Sequence, residues 1–274
     1  MQKTILRHPS GAEVEIYDYG AHLTRWRSAR GREWIFTSRN AVYQEGKAIR
    51  GGVPIIFPQF NAFGPGPRHG FARTALWRAE KVQQDKDATR CRFTLQSSAA
   101  TLAVWPHHFS ASFEVQLHAD ALRMVLRITN TDTKALQFTA ALHSYFSVNS
   151  FPACTVRNLQ DTSYWDNGND FSMRNVFKEN ALYFDDAIDR MYFDVKSPLE
   201  LHDGTSRLRI EQRGFSDIVV WNPGAAGAKA LSDMADDEYQ HMLCVEAAQV
   251  DKPVVLAVGE SWRGEQRLVD IDKP

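Results

Sequence analysis

Apolar and polar residues alternate along much of this chain, and a two-residue period marks strands that bury one face. In ASFEVQLHADALRMVLRITN, Phe113, Val115 and Leu117 alternate with polar neighbours, a short turn falls near Asp120, and Leu122, Met124, Leu126 and Ile128 resume the alternation. This predicts a hairpin of two half-buried strands. AEVEIYDYG, LQFTAALHSYFSV, RLRIEQR, DIVVWNP and MLCVEAA are further strand segments. Helical periodicity is scarce, and GAKALSDMADDEYQHM is the best stretch for one helix or two short ones. No linker, low-complexity tract or repeat of about 20–50 residues interrupts the pattern. The expectation is an all-β fold: one domain over residues 1–274, a large antiparallel sandwich with few short helices and a concave face able to hold a ligand.

Composition narrows the partners. A net charge of −1 gives no global field for nucleic acid or an anionic membrane, so neither partner is expected and any anion site must be local. The N-terminal stretch has no apolar signal-like core, and no run reaches the roughly 20 apolar residues that span a bilayer. Cys91, Cys154 and Cys244 lie far apart and are odd in number, which argues against a disulfide framework and for the cytoplasm. A monomer is expected.

One segment breaks the alternation. IRGGVPIIFPQFNAFGPGPRHGFAR, from Ile49 to Arg73, sets three arginines, one histidine and five glycines around a short apolar run. Glycine permits close backbone approach, proline stiffens the path, and arginine presents a planar fork of donors. Arg50, Arg68, His69 and Arg73 therefore read as a rigid loop facing something anionic or rich in hydroxyls.

Two strand positions carry acid–base chemistry. In LQFTAALHSYFSV, Leu136, Phe138, Ala140 and Leu142 share the core face, so His143 points the other way, into a groove or solvent. In MLCVEAA, Met242, Cys244, Glu246 and Ala248 share a face, and a lone carboxylate there is costly unless partnered. A hydrogen-bonded histidine and a structural ion pair are the plain alternatives. No HExxH or Cys/His cluster occurs, GPGPRHG lacks the end of a P-loop, and the cluster Asp233, Asp236, Asp237 and Glu238 reads as a solvated helix surface, so neither metal nor nucleotide cofactor is expected. Trp105, Trp165 and Trp221 could stack on sugar faces or fill the core.

Taken in order, RGGVPIIFPQF…RHGFAR, ALHSYFSV, AIDRMYFD, SDIVVWNP and DDEYQHMLCVEAA resemble the aldose 1-epimerase (mutarotase) superfamily, and within it the hexose-6-phosphate mutarotase, or glucose-6-phosphate 1-epimerase, branch. The resemblance runs from about Arg50 to Glu246 and weakens towards both ends. It implies a galactose-mutarotase-like β-sandwich and an isomerase that interconverts the anomers of hexose 6-phosphates without a cofactor. It implies His143 as general acid, Glu246 as general base, Arg50, Arg73 and Asp189 as substrate-binding positions, and His69 close to the sugar. Where much of the branch has glutamine before this histidine, this chain has Arg68, a further phosphate donor. An epimerase of unphosphorylated aldoses and a non-catalytic sugar-phosphate binder on the same fold are the rival readings.

Overall fold

In the computed structural model, which describes residues 1–167 and 172–272, nearly all regular structure is antiparallel strand. Among these residues the strands form sheets of ten, eight and three members. The predicted hairpin lies inside the ten-stranded sheet: Phe109–Leu117 pairs with Ala121–Asn130 in the register Phe113↔Leu126 and Leu117↔Leu122. Burial alternates residue by residue along Phe109–Leu117, as the two-residue period requires. Phe113 and Val115 of this sheet share one buried cluster with Leu243, Val245 and Ala247 of the eight-stranded sheet, the arrangement of a sandwich.

The eight-stranded sheet is buried on both faces near its centre. Met242–Leu256 is buried throughout its first seven residues. Leu243, Val245 and Ala247 enter the main core, whereas Met242, Cys244 and Ala248 join two smaller clusters on the far face with Ile56, Phe60, Phe36 and Met234. That far face is covered by the irregular segment around residues 50–73 and by the connection that precedes Met242. A pocket can form only where this cover parts.

One sequence expectation needs correction. LQFTAALHSYFSV is not one strand but two, Leu136–Leu142 and Tyr145–Ser147, both paired with Met242–Leu256. At the break the backbone bonds sideways: His143 N–H donates to Pro54 O at 3.0 Å and Tyr145 N–H to Gly52 O at 3.0 Å. GAKALSDMADDEYQHM forms two short helices rather than one, the second of the two forms expected. A helix covers Gly224–Ala230 and a single 3₁₀ turn covers Glu238–His241. Between them the chain is drawn off the helical path by distant partners, with Met234 buried beside Phe36 and Tyr145 and Asp233 bonded to Arg50. The short helix Ala99–Val104, absent from the sequence expectation, starts at a reciprocal Ser98/Thr101 cap.

Candidate active site

Period-two geometry on three neighbouring strands builds one wall. Asp217–Asn222 pairs with Met242–Leu256 in the register Val219↔Glu246, and with Ile188–Tyr192 in the register Trp221↔Asp189. Cross-strand partners point to the same side, so Glu246, Val219, Trp221 and Asp189 share the far face of the sheet. His143, at the break between its two strands, reaches the same place: its Nε2 lies 3.3 Å from Glu246 Oε1. Tyr145, two residues on, stacks on the His143 ring with centroids 4.8 Å apart and planes 10° from parallel.

The opposite wall comes from the segment that broke the alternation. Ile55–Ile56 anchors it as a short strand against Leu142 and Ala141, and a 3₁₀ turn over Ala72–Thr74 ends it. Its glycines, expected from the sequence to bring backbone close to a ligand, serve the packing of the segment. None of them lines the cavity, and they let the chain pack on itself: at Gly70 (φ +68°) a Cβ would fall 2.1 Å from Phe57 O. The result is a cavity of about 180 Å³ lined by Arg50, Arg68, His69, Arg73, His143, Asp189 and Glu246, every site residue expected from the sequence. The volume is below the roughly 300–1,000 Å³ of a drug-sized ligand site, which suits a single small ring.

The charges are divided unequally. Arg50 Nε bonds Asp233 at 3.1 Å and its Nη1 donates to the Tyr145 hydroxyl at 3.2 Å. Burial works against its charge, yet Tyr145 and Asp233 raise its pKa above the ordinary arginine value. Arg73 instead gives one Nη2–H to the Arg68 carbonyl at 2.9 Å. Among the described residues neither Arg68 nor Arg73 is ion-paired to a carboxylate. Burial, with Arg50 and Arg68 as like-charged neighbours, lowers the Arg73 pKa, so this side of the cavity is short of an anion.

Four groups nearby have pKa values moved from their ordinary ranges. Burial, then the charge of Asp189, raises the Glu246 carboxyl well above its ordinary value. Burial, then His69, Arg73 and Arg50, lowers His143 well below the usual imidazole range. Burial also raises Asp189, whose Oδ2 accepts from Asn167 Nδ2 at 2.5 Å. His69, pushed down to about 3 by burial and the three arginines, accepts the Asn61 N–H on Nδ1 at 3.2 Å, which leaves its proton on Nε2.

Of the three tryptophans, only Trp221 lines the cavity. Trp105 packs edge-on to Phe57 against the main core, and Trp165 is buried in the cluster beside Phe60. The acidic stretch is a solvated surface only in part: Asp236 and Asp237 are exposed, whereas Asp233 and Glu238 are drawn inward. Glu238 is buried and accepts from Ser38 Oγ at 2.7 Å and Arg39 N–H at 2.8 Å, so it ties two loops together. No group of three or more His, Cys, Asp or Glu able to hold a metal occurs among the described residues. Sequence reasoning missed Tyr145, Val219, Leu231, Phe60 and Asn61 as lining residues. For Tyr145 the signal was present, since it lies two positions beyond His143.

This fold, with a histidine and a carboxylate facing arginines across a small cavity, defines a class. The chain belongs to the aldose 1-epimerase family, whose profile matches residues 2–269. It is 34% identical over 280 residues to a protein of Cenchrus ciliaris named "Putative glucose-6-phosphate 1-epimerase", an alignment that covers 98% of this chain and 84% of that one. The crystal structure of a "putative mutarotase" from Salmonella typhimurium superposes with a TM-score of 0.88 at 30% identity, covering 97% of this chain and 88% of that one. A galactose mutarotase-like protein from Lactobacillus casei shares the fold at a TM-score of 0.77 and 16% identity, covering 98% and 99% of the two chains.

Proposed function

We propose that this epimerase acts on hexose 6-phosphates, as a glucose-6-phosphate 1-epimerase, with His143 and Glu246 as its proton carriers. The observation that carries the reading is the buried His143–Glu246 contact placed across a small cavity from Arg68 and Arg73, which among the described residues form no ion pair with a carboxylate. A plain aldose site has no need of Arg68 and Arg73, and a binding protein has no need of the acid–base pair.

Opening the hemiacetal ring needs a base at the C1 hydroxyl and an acid at the ring oxygen. In this reading Glu246 takes the hydroxyl proton while His143 protonates the ring oxygen. Rotation about C1–C2 presents the other carbonyl face, and the two groups exchange roles to close the ring. Glu246 begins ionised and His143 protonated, and at the open-chain stage Glu246 is neutral and so is His143. Burial of both groups favours this second distribution. The empty site therefore leans towards the charge state of the ring-opened stage. A phosphate dianion beside Arg73 and Arg50 would offset two of the charges that depress His143, favouring the state needed to start.

Asp189 and Trp221 would hold the sugar's hydroxyls and face, and Arg73, Arg50 and Arg68 its phosphate. The whole chain acts as one unit in this reading, a view supported by a main buried cluster that runs from Leu6 to Leu268. Its three buried, free cysteines suit the reducing cytoplasm, and a monomer suffices because every proposed site residue comes from one chain. Anomer equilibration of glucose 6-phosphate, free glucose and free galactose, followed by NMR exchange or polarimetry with and without the protein, tests the proposal. Acceleration should be strongest for glucose 6-phosphate. Equal or greater acceleration of the free sugars would establish the plain aldose epimerase, and binding without acceleration the non-catalytic protein.

A further inference from the structure

Arg68 is carried to the cavity by a loop with no regular structure of its own, and one side chain accounts for the loop's shape. Gln59 is 6% exposed beneath it. Its Nε2 lies 3.2 Å from Asn61 O, 3.4 Å from Gly64 O and 3.1 Å from Gly66 O, while its Oε1 accepts the Gly66 N–H at 2.7 Å. An NH₂ group has two protons, so the three carbonyls share them and the Gly64 contact is the weakest. The reversed amide would set its oxygen against three carbonyls and its nitrogen against an N–H, so the network admits one orientation. A Cβ at Gly64 or Gly66 would lie 2.6 or 2.9 Å from Oε1, which is why the loop needs glycine at both positions to close on the amide.

The ends of the loop are tied as well. His69 N–H donates to Asn61 O at 2.9 Å, and Asn61 N–H donates to His69 Nδ1 at 3.2 Å. The Arg68 carbonyl, at the end of the loop, accepts from Arg73 Nη2 at 2.9 Å. Loop shape thus sets where one N–H of Arg73 points, and with it which donors remain for the cavity. Gln59 is not among the residues lining that cavity, so any influence it has on a ligand passes through the loop.

We infer that Gln59 is a positioning residue for anion recognition: by closing the Asn61–His69 loop it orients Arg68 and Arg73 towards the substrate's phosphate and leaves the proton chemistry to the sheet. This rests on the phosphate reading proposed above. A purely structural Gln59 would change melting temperature or turnover, whereas a positioning residue splits KM from kcat.

The test measures kcat and KM for glucose 6-phosphate, the inhibition constant of inorganic phosphate, and the melting temperature, in wild type, Gln59→Leu, Gly66→Ala and Gln59→Ala with and without Gly66→Ala. In Gln59→Leu, KM and the phosphate inhibition constant should rise about tenfold or more, the scale of one misplaced charged hydrogen bond, with kcat within about threefold. Gly66→Ala should act in the same direction but more weakly, and should add nothing to Gln59→Ala, where the clashing Oε1 is gone. If Gln59→Leu fails to fold, Gly66→Ala decides. An unchanged phosphate inhibition constant in the folded variants, or a loss confined to kcat, would overturn the inference alone. Wild-type protein that neither equilibrates glucose 6-phosphate nor binds phosphate would remove the parent reading and this inference together.

Discussion

The two walls of the cavity are built on different principles. The sheet wall takes Glu246, Val219, Trp221 and Asp189 from adjacent strands in fixed register, and burial pushes its carboxyl groups towards neutrality. The loop wall takes Arg50, Arg68, His69 and Arg73 from a segment with little regular structure, and among the described residues Arg68 and Arg73 form no ion pair with a carboxylate. A rigid ladder suits proton transfer, where small displacements are costly. A loop held by side-chain bonds suits recognition of a charge remote from the reacting atoms, where binding energy can be used without touching the chemistry. Chemistry on one wall and selectivity on the other should therefore be separable by experiment.

The largest effect is expected on the sheet wall. His143→Ala and Glu246→Gln should each lower kcat by roughly 10²-fold or more for phosphorylated and free sugar alike, in folded protein. The double variant should lose much less than the product of the single losses, because the pair moves protons as one unit. Near-wild-type turnover in either single variant would end that residue's assignment.

On the loop wall the effect should be smaller and selective. Arg73→Ala should lower kcat/KM for glucose 6-phosphate relative to glucose by about 1.5–3 kcal/mol, roughly ten- to a hundredfold. Arg50→Ala should act in the same direction. Its guanidinium already holds Asp233 and Tyr145, so part of its loss should appear with free glucose too. An unchanged substrate ratio in both variants would merge the two walls and favour the plain aldose epimerase.

The pH dependence should separate the walls again. In the proposed mechanism the His143–Glu246 pair carries one proton between them, and such a pair titrates as a unit. A second proton must enter at His143, whose pKa is depressed, and the last must leave Glu246, whose pKa is raised. With free glucose, kcat/KM should therefore stay flat across neutrality, with no acid limb near the ordinary imidazole pKa of about 6.5. With glucose 6-phosphate a limb should appear near about 6, where the phosphate dianion takes up a proton and becomes a monoanion. The same limb with both sugars would place the titration on the enzyme.

Acid stability follows from the buried imidazoles. His22, pushed down to about 4 by burial, and His69, to about 3, stay neutral while those of the unfolded chain protonate near about 6.5. Their folded pKa values lie below the unfolded ones, so their contribution is present above about 6.5 and is lost as pH falls towards 4. The melting temperature should decline through that window, and a His22→Gln variant that remains folded should decline less steeply. The smallest change is expected from Arg68→Gln. Arg68 is exposed, so its charge is screened, and the loss for glucose 6-phosphate should stay within roughly a few-fold. A loss as large as that of Arg73→Ala would make Arg68 a principal phosphate ligand.

Period-two alternation was enough to find several of the strands, the hairpin at Phe113–Ile128 and the face that His143 and Glu246 turn to, because side-chain direction along a strand depends only on position. The same rule would have found Tyr145. It could not foresee the break at His143, which arises where backbone bonds to Pro54 and Gly52 interrupt the strand, nor choose between one helix and two in a segment whose residues meet Phe36, Ser38 and Arg50. The cationic segment was legible as composition, but which arginine is neutralised was not. Asp233 is 183 residues from Arg50, and only the fold brings them within 3.1 Å. Likewise the segment's glycines read as openings for a ligand, yet the folded chain uses them to close on Gln59 and on its own backbone. Local pattern decides which way a side chain points. What it meets there, and so the charge it carries, is decided by residues the chain brings from far away.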